Sequence, residues 1–232
     1  MVTFVTKPHI EQLVGTKIKH LDLYQKAFTH KSALKEYEQF TESFETLEFI
    51  GDSVLGFVIT KFLFDRHESK QEGFLTKART KLVRGETLAK IALKLGLEKL
   101  VIMDEKGMRN GWNNNPKILE DVFEALIGAI YMDIGLLHAK EFVLRIYQDP
   151  SMVDMNLIMI DDNFKDHLMR YCQLNNFQLP EYRVCAHHEG LFYIDIFVNG
   201  QFMSRGSAKS KKQAEQNAAK SFFEQLKNYN VQ

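Results

Sequence analysis

The stretch FETLEFIGDSVLG, residues 44–56, constrains this chain more than any other part of it. Its apolar residues suit the buried side of a helix, yet Glu45, Glu48 and Asp52 stand at i, i+3 and i+7, along one helix face. Three and four positions from Glu48 lie Glu45, Asp52, Phe44 and Gly51, so nothing local neutralises it. Like charges at that spacing cost about 0.3 kcal/mol, and more when desolvated. A second stretch, NPKILEDVFEALIGAIYMD, repeats the problem. Asp121 and Glu124 share a face among Val122, Phe123, Leu126 and Ile127, and only Lys117, four residues before Asp121, offers an intrahelical cation. Packed together, two such helices would gather four or five acids in one pocket.

For any single acid, solvation or pairing with a distant Lys or Arg is the ordinary explanation. For two acidic pairs in apolar helices, a divalent cation is the better partner, because clustered hard oxygen ligands suit Mg²⁺ or Mn²⁺ and the ion offsets their repulsion.

The 232 residues, 45% of them hydrophobic, suffice for one large domain or two small ones. No run of about 18 apolar residues occurs, and the opening MVTFVTKPHIEQ lacks the basic and apolar regions of a secretory signal. A cytoplasmic, non-membrane location is therefore expected, with Cys172 and Cys185 as free thiols. Thirty basic and thirty acidic residues cancel. From Asp161 onward nine Lys/Arg face eight Asp/Glu, so neither half is basic and any nucleic-acid surface must be a local patch.

Helical spacing runs from about Pro8 to Tyr147, and residues 1–150 are read as an all-α domain. The segment IYQDPSMVDMNLIMIDD, with its proline and no periodic pattern, is read as the boundary. Residues 160–230 are read as α-β-β-β-α: a helix over Asp162 to Leu174, strands at YRVCAH, LFYIDIFV and QFMSRG, and a closing helix over Lys211 to Asn228. The loop His187-His188-Glu189-Gly190 and the Asn199-Gly200 turn join the strands.

FETLEFIGDSVLG resembles the signature peptide of the ribonuclease III family, and KILEDVFEALIGAIYMD resembles that family's second acidic motif. AFTHKS, Ala27 to Ser32, and EGFLTKARTKLVRGETLA, Glu72 to Ala89, are similar to further family motifs in the same order. The C-terminal part resembles the double-stranded RNA-binding domain that follows the nuclease domain in the simplest members. The resemblance implies a multi-domain fold, an all-α nuclease followed by an α+β module. It places Glu48, Asp52, Asp121 and Glu124 in a metal-binding catalytic cluster, with Glu124 most directly tied to Mg²⁺, and Glu45 and Glu72 at additional acidic positions. It implies hydrolysis of double-stranded RNA to short duplexes with 5′-phosphate and 3′-hydroxyl ends, with Mn²⁺ as substitute metal, by a homodimer in which each site cuts one strand. Phe49, Ile50, Val54 and Phe57 make the signature helix apolar on more sides than one core face needs, which suits either a dimer interface or burial within the monomer.

Duplex RNA is read through its minor-groove 2′-hydroxyls and phosphates, because its major groove is too deep and narrow for side chains. Lys209, Lys211 and Lys212 gather at the start of the closing helix, where the dipole also favours phosphate, and Arg205 makes four cations in eight residues without an acid. His187 and His188 in the strand loop, and Lys165 and His167 on the first helix, are the further RNA-contact candidates. Met169 and Arg170 depart from the Gln and Glu usual in the family at those places. Arg79, Lys81 and Arg84 are candidate phosphate contacts in the nuclease part, each with a solvated helix face as the alternative. The competing functional reading is a catalytically inactive protein that sequesters double-stranded RNA. Such decay should replace at least one of Glu48, Asp52, Asp121 and Glu124, and all four are present.

Overall fold

The computed structural model describes residues 5–229. The chain divides into two compact units, Met1–Met159 and Ile160–Gln232. Residues 1–4 and 230, at the outer ends of the spans expected from the sequence, lie outside the described residues.

Among the described residues the first unit holds eight α-helices: α1 (Lys7–Val14), α2 (Leu21–Phe28), α3 (Glu45–Arg66), α4 (Glu72–Leu82), α5 (Gly85–Lys94), α6 (Glu105–Arg109), α7 (Pro116–Ile134) and α8 (Leu136–Tyr147). Its centre is α7, which starts where physical chemistry favours a start. Asn115 accepts the Lys117 N–H at 2.9 Å, and Pro116 occupies the first turn, where its missing donor costs nothing. Leu119, Val122, Phe123, Leu126, Ile127 and Ile130 are fully buried, so α7 is surrounded by its neighbours rather than laid on one of them. Each such side chain contributes roughly 1.5–3 kcal/mol of burial.

The packing of α3 on α7 is unusually close, and two glycines allow it. A Cβ at Gly51 would fall on the carbonyl of Glu124, and one at Gly128 on the carbonyl of Leu47. With hydrogen at both places the backbones approach until the acidic faces of the two helices share one cleft.

One departure from an all-helical unit is a short parallel bridge between Thr29 and Ile102. Ile102 N–H donates to Phe28 O and His30 N–H donates to Ile102 O, both at 2.8 Å. The AFTHKS segment is thus a clamp. Thr29 O accepts the Phe44 N–H at 2.9 Å at the head of α3, and Ser32 Oγ accepts the Asp104 N–H at 3.1 Å before α6. At the far end of α7, buried Asp133 accepts from Lys19 N–H, His20 N–H and Tyr24 Oη, which pins the α1–α2 loop. The segment after α8 packs on this unit as far as Met159, burying Val153 and Ile158.

The second unit runs α9 (Phe164–Leu174), β1 (Glu181–His188), β2 (Leu191–Val198), β3 (Gln201–Ala208) and α10 (Lys211–Tyr229). The sheet is antiparallel in the order β1-β2-β3. Leu168, Cys172, Ile196, Val198, Ala218, Ala219 and Phe222 form its core between the sheet and the helices. Gly206 lets β3 approach α10, since a Cβ there would strike the Ala218 backbone, and Ser204 Oγ donates to Ala218 O at 2.8 Å.

The expected β1–β2 loop is corrected by the register. His187 pairs with Phe192 and His188 with Leu191, so both histidines belong to β1 and only Glu189 and Gly190 turn the chain. Both turn residues have positive φ, 52° and 74°, the conformation that a two-residue hairpin requires. Asn199 and Gly200, at 51° and 76°, repeat this at the second hairpin.

Candidate active site

The α3–α7 crossing sets a cleft of about 500 Å³ lined by Glu45, Glu48, Phe49, Asp52, Val83, Lys117, Glu120 and Glu124. Carboxylate oxygens of Glu48, Asp121 and Glu124 lie within 4.8 Å of one another. Glu124 is 6% exposed, with the cleft as its outlet. Burial, and then the charges of Asp52, Glu120 and Glu48, push its pKa up to about 8. Glu48 is also held above the carboxylate range, first by burial and then by Asp121. Asp121 Oδ1 is buried without a well-directed hydrogen-bond donor, with the Lys117 ammonium 2.7 Å away. Burial works against that ammonium, but Asp121, Glu120 and Glu48 outweigh it and hold its pKa above the ordinary lysine value.

This donor set fits a hard divalent cation. Three hard oxygens converge, burial and crowding raise the pKa of Glu48 and Glu124, and one buried oxygen lacks a well-directed donor.

Of the acids singled out in the sequence, Glu48, Asp121 and Glu124 come together. Asp52 is exposed on the wall of the same cleft, outside that trio but close enough to raise the Glu124 pKa. Glu45 also lines the cleft and accepts a hydrogen bond from Ser43 Oγ. Glu72 does not line it. In the first turn of α4 its carboxylate accepts from Thr76 Oγ1 at 2.6 Å, a local contact. Glu120 lines the cleft without having been singled out. In sequence it is one more acid beside Asp121, and its place depends on α5, which contributes Gly85 directly against its carboxylate.

The basic candidates of this unit each have a partner within it. Arg79 Nη1 donates to Thr60 Oγ1 at 3.5 Å, Lys81 Nζ to Leu157 O at 3.3 Å, and Arg84 stands 3.9 Å from Glu86.

In the second unit the eight RNA-contact candidates separate. Lys209, Lys211 and Lys212 are exposed around the first turn of α10, and none forms an ion pair among the described residues. Lys211 Nζ lies 5.6 Å from the Phe192 ring centroid. His187 stacks on the same ring at 4.3 Å, and His188 is exposed at the hairpin end. The other three are already partnered. Lys165 pairs with Glu215 and sits over the Tyr182 ring, and His167 Nε2 lies 2.8 Å from Asp161. Arg205 binds Asp195 through two bonds of 2.6 and 2.9 Å. Its strand neighbours Ser204 and Gly206 face α10, so by the two-residue period Arg205 points from the other face of the sheet, away from the α10 lysines. Met169 is partly exposed on α9, and Arg170 pairs with Asp166 at 3.0 Å.

Residues 21–150 match the model of the ribonuclease-III-like domain, and residues 164–226 match the double-stranded RNA binding motif. The chain is 44% identical over 218 residues to a protein of Paramecium bursaria Chlorella virus 1, covering 93% of this chain and 77% of that one. It is 34% identical over 220 residues to Ribonuclease 3 of Staphylococcus aureus, covering 92% and 89%. Among solved structures it is similar to the ribonuclease III nuclease domain of Campylobacter jejuni, described for flexibility in a region involved in dimer formation. That match has 37% identity and a TM-score of 0.55, over 60% of this chain and 94% of the other.

A helical nuclease unit followed by a double-stranded RNA-binding module defines an endoribonuclease that acts on duplex RNA. The chain belongs to the ribonuclease III family.

Proposed function

We propose that this enzyme hydrolyses double-stranded RNA in a Mg²⁺-dependent reaction, with Mn²⁺ as substitute, and leaves 5′-phosphate and 3′-hydroxyl ends on short duplex products. The observation that carries this reading is the meeting of Glu48, Asp121 and Glu124 oxygens within 4.8 Å, with Glu124 buried beneath them. Glu48, Asp121 and Glu124 would hold the ion, and Asp52 would complete the catalytic set from the cleft wall. A bound divalent cation supplies Lewis-acid stabilisation of charge at the scissile phosphate. The chain's own part is to hold these oxygens on two helices locked by Gly51 and Gly128, so that little reorganisation is needed when the substrate arrives.

Duplex binding is assigned to Lys209, Lys211 and Lys212, unpaired at a helix N-terminus, with His187 and His188 at the adjacent hairpin. The enzyme works as a homodimer through the outer face of α3. Phe49, Phe57 and Phe64 are 78%, 58% and 59% exposed there, a cost that a second copy would relieve. No helix among the described residues is long and apolar enough to cross a membrane. Free thiols at buried Cys172 and exposed Cys185 suit a reducing cytoplasmic setting.

The test is cleavage of a long perfect RNA duplex by wild type and Glu124→Ala, in Mg²⁺ and in chelator, with binding followed in parallel. Metal-dependent cutting that is lost in the variant while binding persists is the expected result. Binding without cutting by wild type in both Mg²⁺ and Mn²⁺ overturns the reading in favour of a sequestering protein.

A further inference from the structure

We infer that Tyr147 is a positioning residue for the reaction: its hydroxyl fixes the α4–α5 elbow that forms one wall of the catalytic cleft. This rests on the metal-nuclease reading of the same site. The elbow is Val83 and Arg84, the two residues between α4 and α5. The last carbonyls of a helix have no partner within it and need one from elsewhere when they are buried. Leu82, the last residue of α4, is fully buried, and the helix closes without a left-handed residue, since Val83 has φ −104°. Two side-chain hydroxyls take the place of that cap. Thr87 Oγ1 donates to Lys81 O at 2.8 Å, and Tyr147 Oη, from the last turn of α8, donates to Leu82 O at 2.9 Å.

What the elbow carries gives this bond its function. Val83 lines the cleft, and Gly85, the first residue of α5, lies against the Glu120 carboxylate. The oxygens of Glu48, Asp121 and Glu124 are fixed on α3 and α7, so the width of the cleft between them and Val83 depends on where α4 ends and α5 begins. Tyr147 is itself fully buried, and burial and then the Glu124 charge keep its hydroxyl protonated well above the usual tyrosine range. That hydroxyl has one hydrogen, and Leu82 O takes it. None is left for Glu124, whose oxygens stay available to the cleft. A phosphodiester seated on the trio then meets a wall that does not give way, and a misplacement of about 1 Å at a reacting centre can cost roughly 100-fold in rate.

The experiment compares wild type with Tyr147→Phe, Thr87→Val, Thr87→Ser, Val83→Ala, the double variant of Tyr147→Phe with Val83→Ala, and Tyr24→Phe. Tyr24 is the control, because it is equally buried and its Oη donates to Asp133 at 3.1 Å, toward the far end of α7. The readouts are single-turnover cleavage at saturating Mg²⁺, duplex affinity in chelator and amide hydrogen exchange, all at a temperature where every variant is folded. Tyr147→Phe should cut about 5- to 50-fold more slowly while binding duplex like wild type. Its Val83, Thr87 and Leu88 amides, which donate to Arg79 O and Arg84 O, should exchange faster, with the Leu47 and Glu48 amides at the head of α3 unchanged. Thr87→Val should behave likewise, and Thr87→Ser, which keeps the hydroxyl, should cut like wild type. Val83→Ala should slow cleavage, and Tyr147→Phe should add nothing to that loss, because both act through one wall. Tyr24→Phe should lose stability and keep its rate.

An unimpaired rate in Tyr147→Phe, an equal loss of rate in Tyr24→Phe, additive losses in the double variant, or unchanged exchange at the elbow overturns the inference. Wild type that fails to cut sinks the nuclease reading, and the exchange data then decide alone whether Tyr147 holds the elbow. Wild-type cutting with an unimpaired Tyr147→Phe removes this inference and leaves the nuclease reading standing.

Discussion

Replacing Glu124 with Gln should make the metal-free protein more stable at alkaline pH while abolishing its chemistry. Burial and the neighbouring carboxylates raise the Glu124 pKa from 4.5 to about 8. In the unfolded chain that carboxyl ionises at its ordinary value, so between roughly pH 4.5 and 8 the folded state binds the extra proton. Stability is therefore greatest below the lower value and falls as pH rises through the upper one. Each tenfold change in proton affinity is worth about 1.4 kcal/mol, which makes roughly 5 kcal/mol the ceiling at pH 8 and above. The cleft is open to water and solvent screening lowers this, so about 2–3 kcal/mol is the expected penalty. Glutamine keeps the shape and carries no charge. For a unit of this size the variant should melt about 4–12 °C higher than wild type at pH 8.5, and the difference should shrink toward zero at pH 5. The assay is thermal unfolding in chelator at half-unit pH steps, repeated in Mg²⁺, where wild type should regain the lost stability and the variant should not. A variant no more stable than wild type at any pH, or equally favoured at pH 5 and 8.5, would refute the claim that Glu124 is crowded by its neighbours.

Three further outcomes follow from the packing and the surface. Gly51→Ala places a methyl group on the Glu124 carbonyl and should cost about 1–3 kcal/mol, read as a lower melting temperature, with cleavage reduced because α3 and α7 no longer bring their acids together. Replacing Lys209, Lys211 and Lys212 with Ala should weaken duplex binding and reduce its log–log salt slope by roughly one per lysine, whereas Arg205→Ala should leave that slope near wild type, as titrations between 50 and about 200 mM salt would show. Phe49→Glu, at a position 78% exposed on α3, should halve the mass measured by sedimentation; an unchanged dimer would move the interface elsewhere.

Much of the site was legible in the linear chain because helical spacing is a local property. Glu45, Glu48 and Asp52 at i, i+3 and i+7 must share a face wherever the helix goes, and Asp121 and Glu124 likewise. The Asn199-Gly200 turn announced its hairpin for the same reason, since the positive φ it needs is a property of those residues. The Glu189-Gly190 turn was harder to see. Glu seldom takes positive φ, so the two histidines before it read as loop until the register placed them in β1.

Other features had no local signature. Arg205 looked like one of four clustered cations, yet Asp195, ten residues earlier, faces it across the β2–β3 ladder and claims its guanidinium. Nothing around Glu72 marked it as lying outside the cleft. Glu120 carried no signal of its own beside Asp121, and its place was decided by α5, which sets Gly85 against it. The sequence by itself determined which residues share a helix face, how many charges each face carries and where the chain turns, because those depend on neighbours within four positions. Which faces meet, how closely, and which charges are already taken depended on the tertiary structure. There, hydrogen at Gly51 and Gly128 lets two backbones touch and so converts two acidic stripes into one site.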